Sequence, residues 1–114
     1  GEDTALVCFD VIKEKAISKK LKSELTDSGR TVIDISIDQM KNFLGNALEV
    51  RGKNNEKYLL MSETAEGSLT VEQKKLIQNR VNLLSFPIPT IEKYGGGSVR
   101  CMLAEIFLDK SGLK

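Results

Sequence analysis

Short apolar segments alternate with amphipathic segments along this chain, and few folds accommodate that alternation. Residues 5–11 form a nearly continuous apolar run that predicts a buried strand. Apolar residues then recur at a spacing near 3.6 between lysines, which predicts an amphipathic helix that ends at Gly29. Residues 31–37 alternate and are β-branched, so a second strand is expected. This β-α-β order is typical of an α/β layer arrangement.

Two capping boxes predict where further helices begin. Ser36 is followed three residues later by Gln39, and Thr70 is followed in the same way by Gln73. We expect a short helix that ends at Gly45 and a longer helix after Thr70.

The second half of the chain predicts one supersecondary unit. Residues 47–51 and 58–62 are strand candidates around a polar turn, as in a hairpin with a longer loop. A strand is expected at 83–88, ended by prolines. Residues 47–88 then form a ββαβ unit. Residues 95–97 are expected to be a loop, 99–108 a last strand or short buried segment, and 109–114 a frayed tail.

Composition excludes several classes of function. The chain has 17 basic and 16 acidic residues and 5% aromatics, which argues against binding nucleic acid or a membrane surface. It has no His, so chemistry that needs an imidazole cannot be completed within it. Two cysteines cannot make a four-ligand zinc site, and we expect no metal and no cofactor.

The cysteine content indicates the compartment. Cys8 and Cys101 are predicted to be free thiols in a reducing cytoplasm, with a single disulfide as the alternative. Cys8 lies in an apolar run and is expected to pack in the core. The sequence begins at Gly1 without Met, and we expect it to be part of a longer chain.

The glycine-rich segment before Cys101 is the strongest candidate site. Gly95, Gly96 and Gly97 are consecutive, which is costly unless unusual dihedrals or close backbone approach require it. A thiol at the end of this loop, near backbone N–H groups, would have a low pKa and be nucleophilic. The alternative is a small buried cysteine behind a flexible loop. Arg100 would hold the thiolate charge or a substrate carboxylate, or lie on the surface.

Asn46 is a second candidate. Gly45 and Asn46 tolerate left-handed backbone and would cap a helix, whereas the functional alternative is that Asn46 binds a polar ligand. Glu49 and Glu105 lie in strand-like runs and are expected on a solvated face, with cation binding as the alternative.

Four segments together resemble a known superfamily. They are QMKNFLGNALE (39–49), LMS (60–62), IPTIE (88–92) and GGGSVRCMLAE (95–105). The chain resembles the C-terminal part of the amidinotransferase/arginine deiminase (pentein) superfamily, and more narrowly the arginine deiminase-related, citrulline-utilisation-type hydrolases. The resemblance implies an α/β propeller of five ββαβ units. The chain would hold one and a half to two of them, divided into residues 1–45 and 46–108.

The resemblance also implies a mechanism. Cys101 would attack the guanidinium carbon of an arginine-like substrate and form a covalent intermediate, which is resolved by hydrolysis or by amidino transfer. The His that moves protons and the carboxylates that hold the cation are expected upstream, so this chain alone is predicted to be inactive. The alternative is a non-catalytic α/β interaction or regulatory module. A partial propeller exposes sheet edges, and we expect a homodimer or another assembly that covers them.

Overall fold

The computed structural model describes residues 1–106, and the structural statements below concern that part of the chain. The expected tail at 109–114 and the end of the expected strand at 99–108 lie outside the described residues. In chain order the elements are β1 (Thr4–Val7), α1 (Lys15–Asp27), β2 (Thr31–Asp34), α2 (Ile37–Lys41), β3 (Leu48–Arg51), β4 (Lys57–Ser62), α3 (Glu63–Gly67), α4 (Val71–Gln78), β5 (Asn82–Phe86) and α5 (Pro89–Gly95). Two short 3₁₀ helices cover Phe9–Val11 and Arg100–Met102.

The first sheet is the predicted β-α-β arrangement. Strands β1 and β2 pair in parallel, and α1 connects them. Gly29 follows α1 with φ at +82°, the left-handed conformation expected of a glycine that ends a helix. The predicted first strand is too long, because the last ladder bond runs from the Ile35 N–H to the Val7 carbonyl at 3.0 Å. Beyond Val7 the chain turns into a 3₁₀ helix, although its sequence stays apolar.

The second sheet confirms the predicted strand-strand-helix-strand order. Strand β3 pairs antiparallel with β4, and β4 pairs in parallel with β5. Two helices, α3 and α4, make the crossover between the parallel strands. Sequence reasoning missed α3, whose first turn is capped by the Ser62 hydroxyl, which accepts from the Ala65 N–H at 3.1 Å. Ala65 occupies the position where a capping box has Glu or Gln, so the usual signal is absent.

One apolar core joins the two sheets. Its members are Cys8, Ile33, Ile35, Leu44, Leu59, Met61, Ala65, Ile77 and Val81. Each fully buried Ile, Leu or Met contributes about 1.5–3 kcal/mol relative to exposure in water. Cys8 is a buried free thiol in this cluster, which confirms its predicted packing role.

Both predicted capping boxes are formed, and they are joined to each other. In each box the Ser or Thr hydroxyl accepts from the N–H of the Gln three residues on. The two Gln side chains then pair, with Gln39 Nε2 donating to Gln73 Oε1 at 2.7 Å. Gln73 Nε2 also donates to the Asp34 carbonyl at 2.8 Å. This network ties the N-termini of α2 and α4 to the end of β2.

The segment after β5 differs most from expectation. Pro89 begins helix α5 at its first turn, where its missing N–H costs nothing. The expected strand at 99–108 is wrong over the described residues, because Arg100–Met102 is a 3₁₀ helix and residues 100–106 are exposed. The apolar composition suggested a strand, but the N–H groups bond locally, as Leu103 does to the Arg100 carbonyl at 3.2 Å.

A buried carboxylate anchors the segment that leads to Cys101. Ser98 is fully buried, and its hydroxyl donates to Glu92 Oε1 at 2.7 Å. Burial acts to raise the pKa of Glu92, but hydrogen bonds from Ser62, Ser98 and Thr64 together outweigh it and lower the pKa. Since Ser62 and Thr64 lie at the start of α3, the cluster connects α5, α3 and the glycine loop.

This mixed α/β architecture is compatible with a pentein-like fold. The closed propeller, the division at residue 45 and the assembly through sheet edges stay predictions. Among the described helices, none has the length and apolar character needed to span a membrane.

We predict that Gln73→Met destabilises the chain, whereas Gln78→Met on the same helix does not. Met keeps the size of Gln but loses the hydrogen bonds to Thr70, Asp34 and Gln39. The expected loss is about 1–2 kcal/mol of unfolding free energy, measured by urea denaturation. Gln78 is exposed, and a change within about 0.5 kcal/mol is expected there. Equal effects would contradict a stabilising role for the paired amides.

We also predict that the unfolding free energy of Glu92→Gln falls less in acid than that of the parent chain. Because the folded-state pKa is lowered, the ionised carboxylate stabilises the fold above its unfolded pKa. That contribution disappears as pH falls through the folded value. Urea denaturation between about pH 5 and pH 3 should show a smaller decline for Glu92→Gln than for the parent chain.

The matched control is Glu24→Gln, which makes the same change at an exposed position of α1. It should leave the acid dependence of the parent chain unchanged. A Glu92→Gln curve parallel to that of the parent would refute the role assigned to the carboxylate.

Candidate functional site

Cys101 lies in the 3₁₀ helix that follows α5, and it is an exposed free thiol. The alternative of a buried cysteine is therefore wrong. Cys8 is also free, so the two cysteines do not form the alternative disulfide. Exposure of this cysteine meets one requirement of a nucleophile, which has to be accessible to a substrate.

The three glycines before Cys101 have different roles. Gly95 ends α5, and an added Cβ there would meet only Ile91 at 3.8 Å. Gly96 has φ at +65°, a left-handed conformation that caps the helix. A Cβ on Gly97 would lie 3.0 Å from Cys101 Cβ and 3.1 Å from its Sγ. The close approach expected of this loop therefore occurs at Gly97, against the cysteine itself.

Asn46 contacts Cys101 directly across 55 residues of sequence. Its Nδ2 donates to Cys101 Sγ at 2.9 Å. Its Oδ1 accepts from the backbone N–H of Cys101 at 3.4 Å. The sequence singled out both residues separately, but nothing in it indicated that they meet.

The chain leaves helix α2 in a way that differs from the predicted cap at Gly45 and Asn46. Phe43, and not Gly45 or Asn46, takes the left-handed conformation, with φ at +65°. The Asn46 N–H donates to the Phe43 carbonyl at 2.8 Å, which turns the chain toward β3. The capping interpretation is therefore wrong, and the Asn46 amide is left to reach Cys101.

The surroundings of Cys101 lower the pKa of its thiol. The largest cause is the hydrogen bond from Asn46, followed by the backbone hydrogen bond at Ser98 and the positive charge of Arg100. Partial removal from water acts in the opposite direction but is outweighed. A larger share of the sulfur is thereby thiolate near neutral pH than for an unperturbed cysteine, and the thiolate is the nucleophilic form.

Residues of β1 and β3 line an open cleft of about 1100 Å³, whose wall includes sequence neighbours of Asn46 and Cys101 but neither of these two residues. Gly45 and Arg100 contribute to its wall, as do Glu49 and Glu105. Glu49 lies in β3, is half-buried, and accepts from the Glu2 N–H at 3.3 Å. Glu105 is exposed but lies outside any strand, so its expected strand position is wrong.

Metal binding finds no support in the described part of the chain. Within residues 1–106, no three Cys, Asp or Glu side chains are grouped as a metal site requires.

Comparison with known proteins identifies one family. The family model for N,N dimethylarginine dimethylhydrolase, eukaryotic, matches residues 1–108. No curated protein and no solved structure gave a match. The family match supports the guanidine-modifying superfamily and a hydrolase function on a guanidino group, but not the narrower citrulline-utilisation type. Because the match covers all the described residues, the chain belongs to the eukaryotic N,N-dimethylarginine dimethylhydrolase family.

Proposed function

We propose that this chain carries the nucleophile of a guanidino-group hydrolase, and that Cys101 is that nucleophile. The observation that carries the proposal is the exposed Cys101 thiol, whose sulfur accepts a hydrogen bond from the Asn46 amide. The family match supports a substrate of the dimethylarginine type. Arginine-like guanidino compounds form the substrate class, and no nucleic acid or membrane takes part.

The proposed reaction has two displacements at one carbon. The Cys101 thiolate attacks the central guanidinium carbon and forms a C–S bond. The bond from that carbon to the dimethylated nitrogen then breaks, and its electron pair leaves with dimethylamine, which takes up a proton. Water attacks the same carbon in the second step and releases the thiolate, leaving a ureido group on the substrate. Covalent catalysis of this kind replaces one difficult step with two easier ones.

The proton for the leaving amine has to come from a positioned acid. The resemblance assigns that role to a His, and these 114 residues contain none. We therefore propose that the acid and the carboxylates that hold the guanidinium are supplied from outside this chain. On that basis the 114 residues alone do not turn over substrate.

Arg100 is proposed to bind the substrate's carboxylate. Arg100 is exposed, directly precedes Cys101 in the sequence and lines the open cleft. A guanidinium matches a carboxylate with two parallel hydrogen bonds, which would orient an amino acid substrate relative to the sulfur.

We predict that Cys101 is alkylated at least about tenfold faster than Cys8 in the folded chain, because only an exposed, low-pKa thiol reacts quickly. Cys8 is 8% exposed and packed in the core. Rates for the two cysteines are obtained in one experiment from peptide mass spectrometry after timed exposure to iodoacetamide or chloroacetamidine. Equal, slow rates would instead favour the non-catalytic interaction module.

We further predict that the 114-residue chain does not hydrolyse N,N-dimethylarginine, whereas a longer chain that supplies the His does. Cys101→Ser in that longer chain should reduce turnover by about a thousandfold or more. The release of dimethylamine measures the rate, and Cys8→Ser is the matched control. Turnover by the short chain would refute the need for an outside acid. Turnover that survives Cys101→Ser would refute the assigned nucleophile.

A further inference from the structure

The Asn46 side chain makes two contacts with a single residue. One is the 2.9 Å hydrogen bond from its Nδ2 to Cys101 Sγ, and the other is the 3.4 Å contact from its Oδ1 to the Cys101 N–H. A primary amide is planar, with a donor at one end and an acceptor at the other. Because the Cys101 N–H can only donate, it fixes Oδ1 on its own side and leaves the Nδ2 donor facing the sulfur.

The contact between Asn46 Oδ1 and the Cys101 N–H determines which end of the Asn46 amide faces the sulfur. The Cys101 N–H also donates to the Ser98 carbonyl at 3.1 Å, so a contact that only joined the segment before β3 to the 3₁₀ helix would need from Asn46 no more than a second acceptor. Asp would supply that acceptor as well as Asn. A donor that faces the sulfur stabilises the thiolate more than the neutral thiol, whose sulfur is only a weak acceptor, because hydrogen bonding to the charged form favours that form.

The backbone of Gly97 also lies close to the sulfur. Gly97 lies so near that an added Cβ would be 3.1 Å from Sγ. The Cys101 side chain therefore contacts the Asn46 amide and lies close to the Gly97 backbone. Arg100 is the charged neighbour whose field reaches the thiol.

We propose that Asn46 is a positioning residue that stabilises the Cys101 thiolate and fixes the direction of its sulfur by the paired amide contact. This inference rests on the proposed role of Cys101 as nucleophile. It gives Asn46 a partner within the protein, where the sequence had offered a helix cap or, as the alternative, a polar ligand.

The experiment compares the alkylation rate of Cys101 by iodoacetamide in four chains: the parent, Asn46→Ala, Asn46→Asp and Asn54→Asp. Asn46→Asp keeps an acceptor for the Cys101 N–H but places a second negative charge against the sulfur. Asn54→Asp makes the same charge change in the exposed turn at the opposite end of β3. Circular dichroism and the slow alkylation of Cys8 report whether each variant is folded.

We expect Asn46→Ala to lower the rate at pH 7 roughly threefold or more, and Asn46→Asp to lower it further still. Asn54→Asp should match the parent. A purely structural tether predicts the opposite order, in which Asn46→Asp retains the parent rate and Asn46→Ala does not. That order, or equal rates for both Asn46 variants, would overturn the inference.

The pH profile of alkylation provides a second measurement that does not require the Asp variant to fold. In Asn46→Ala the midpoint of the rate profile should move to higher pH, and an unchanged midpoint would overturn the inference. These rates are measured without turnover, so they are separate from the Cys101→Ser test of the proposed function. If turnover survives Cys101→Ser, the nucleophile assignment fails whatever the alkylation profiles show.

Discussion

The hydrogen bond from Ser98 to the buried Glu92 carboxylate determines where the segment that carries Cys101 leaves the protein interior. Ser98 and Val99 are buried, whereas Arg100 and Cys101 directly after them are exposed. The change from interior to surface therefore occurs within one peptide bond of the 3₁₀ helix. Without this anchor the glycines before it would leave the direction of Cys101 unspecified, since glycine loses more backbone freedom on folding than any other residue.

A second constraint holds the partner of the cysteine in place. Asn46 follows α2, and α2 is tied to α4 and β2 through the paired Gln39 and Gln73 amides. Leu44, two residues before Asn46, is completely buried in the core shared by the two sheets. The Asn46 amide and the cysteine thus meet because each is attached to a different part of one packed body. The hydrogen bond between Asn46 Nδ2 and Cys101 Sγ is maintained only when the backbone on both sides is held in place.

The sequence predicted helices and strands well where the contacts that form them lie between residues close together in the sequence. The two capping boxes are chemical contacts within four residues, and both form as predicted. Strand 99–108 was mispredicted because apolar composition does not reveal whether a partner strand exists. Helix α5 was missed because Pro89 both ends strands and begins helices.

The candidate site was predictable only in part, for a related reason. Cys101 and Asn46 were each singled out from their neighbours in sequence, but their contact depends on packing between elements. Glu92 was part of a segment that resembles the superfamily, but no role was predicted for it. Its hydrogen bonds come from Ser62 and Ser98, which lie in other parts of the chain. Long-range pairs of this kind have no local pattern, which is why a single sequence does not disclose them.

The separation of 55 residues between Asn46 and Cys101 has a consequence for the newly made protein. During synthesis the amide is in place long before the sulfur, and the two can meet only after β4, β5 and α5 have formed and docked. A contact of such long range forms only after the entropy of closing the loop between its partners has been overcome. Because the lowered pKa of the Cys101 thiol depends on Asn46, a polypeptide that has not yet folded presents an ordinary cysteine, and the lowered pKa is acquired only with the fold.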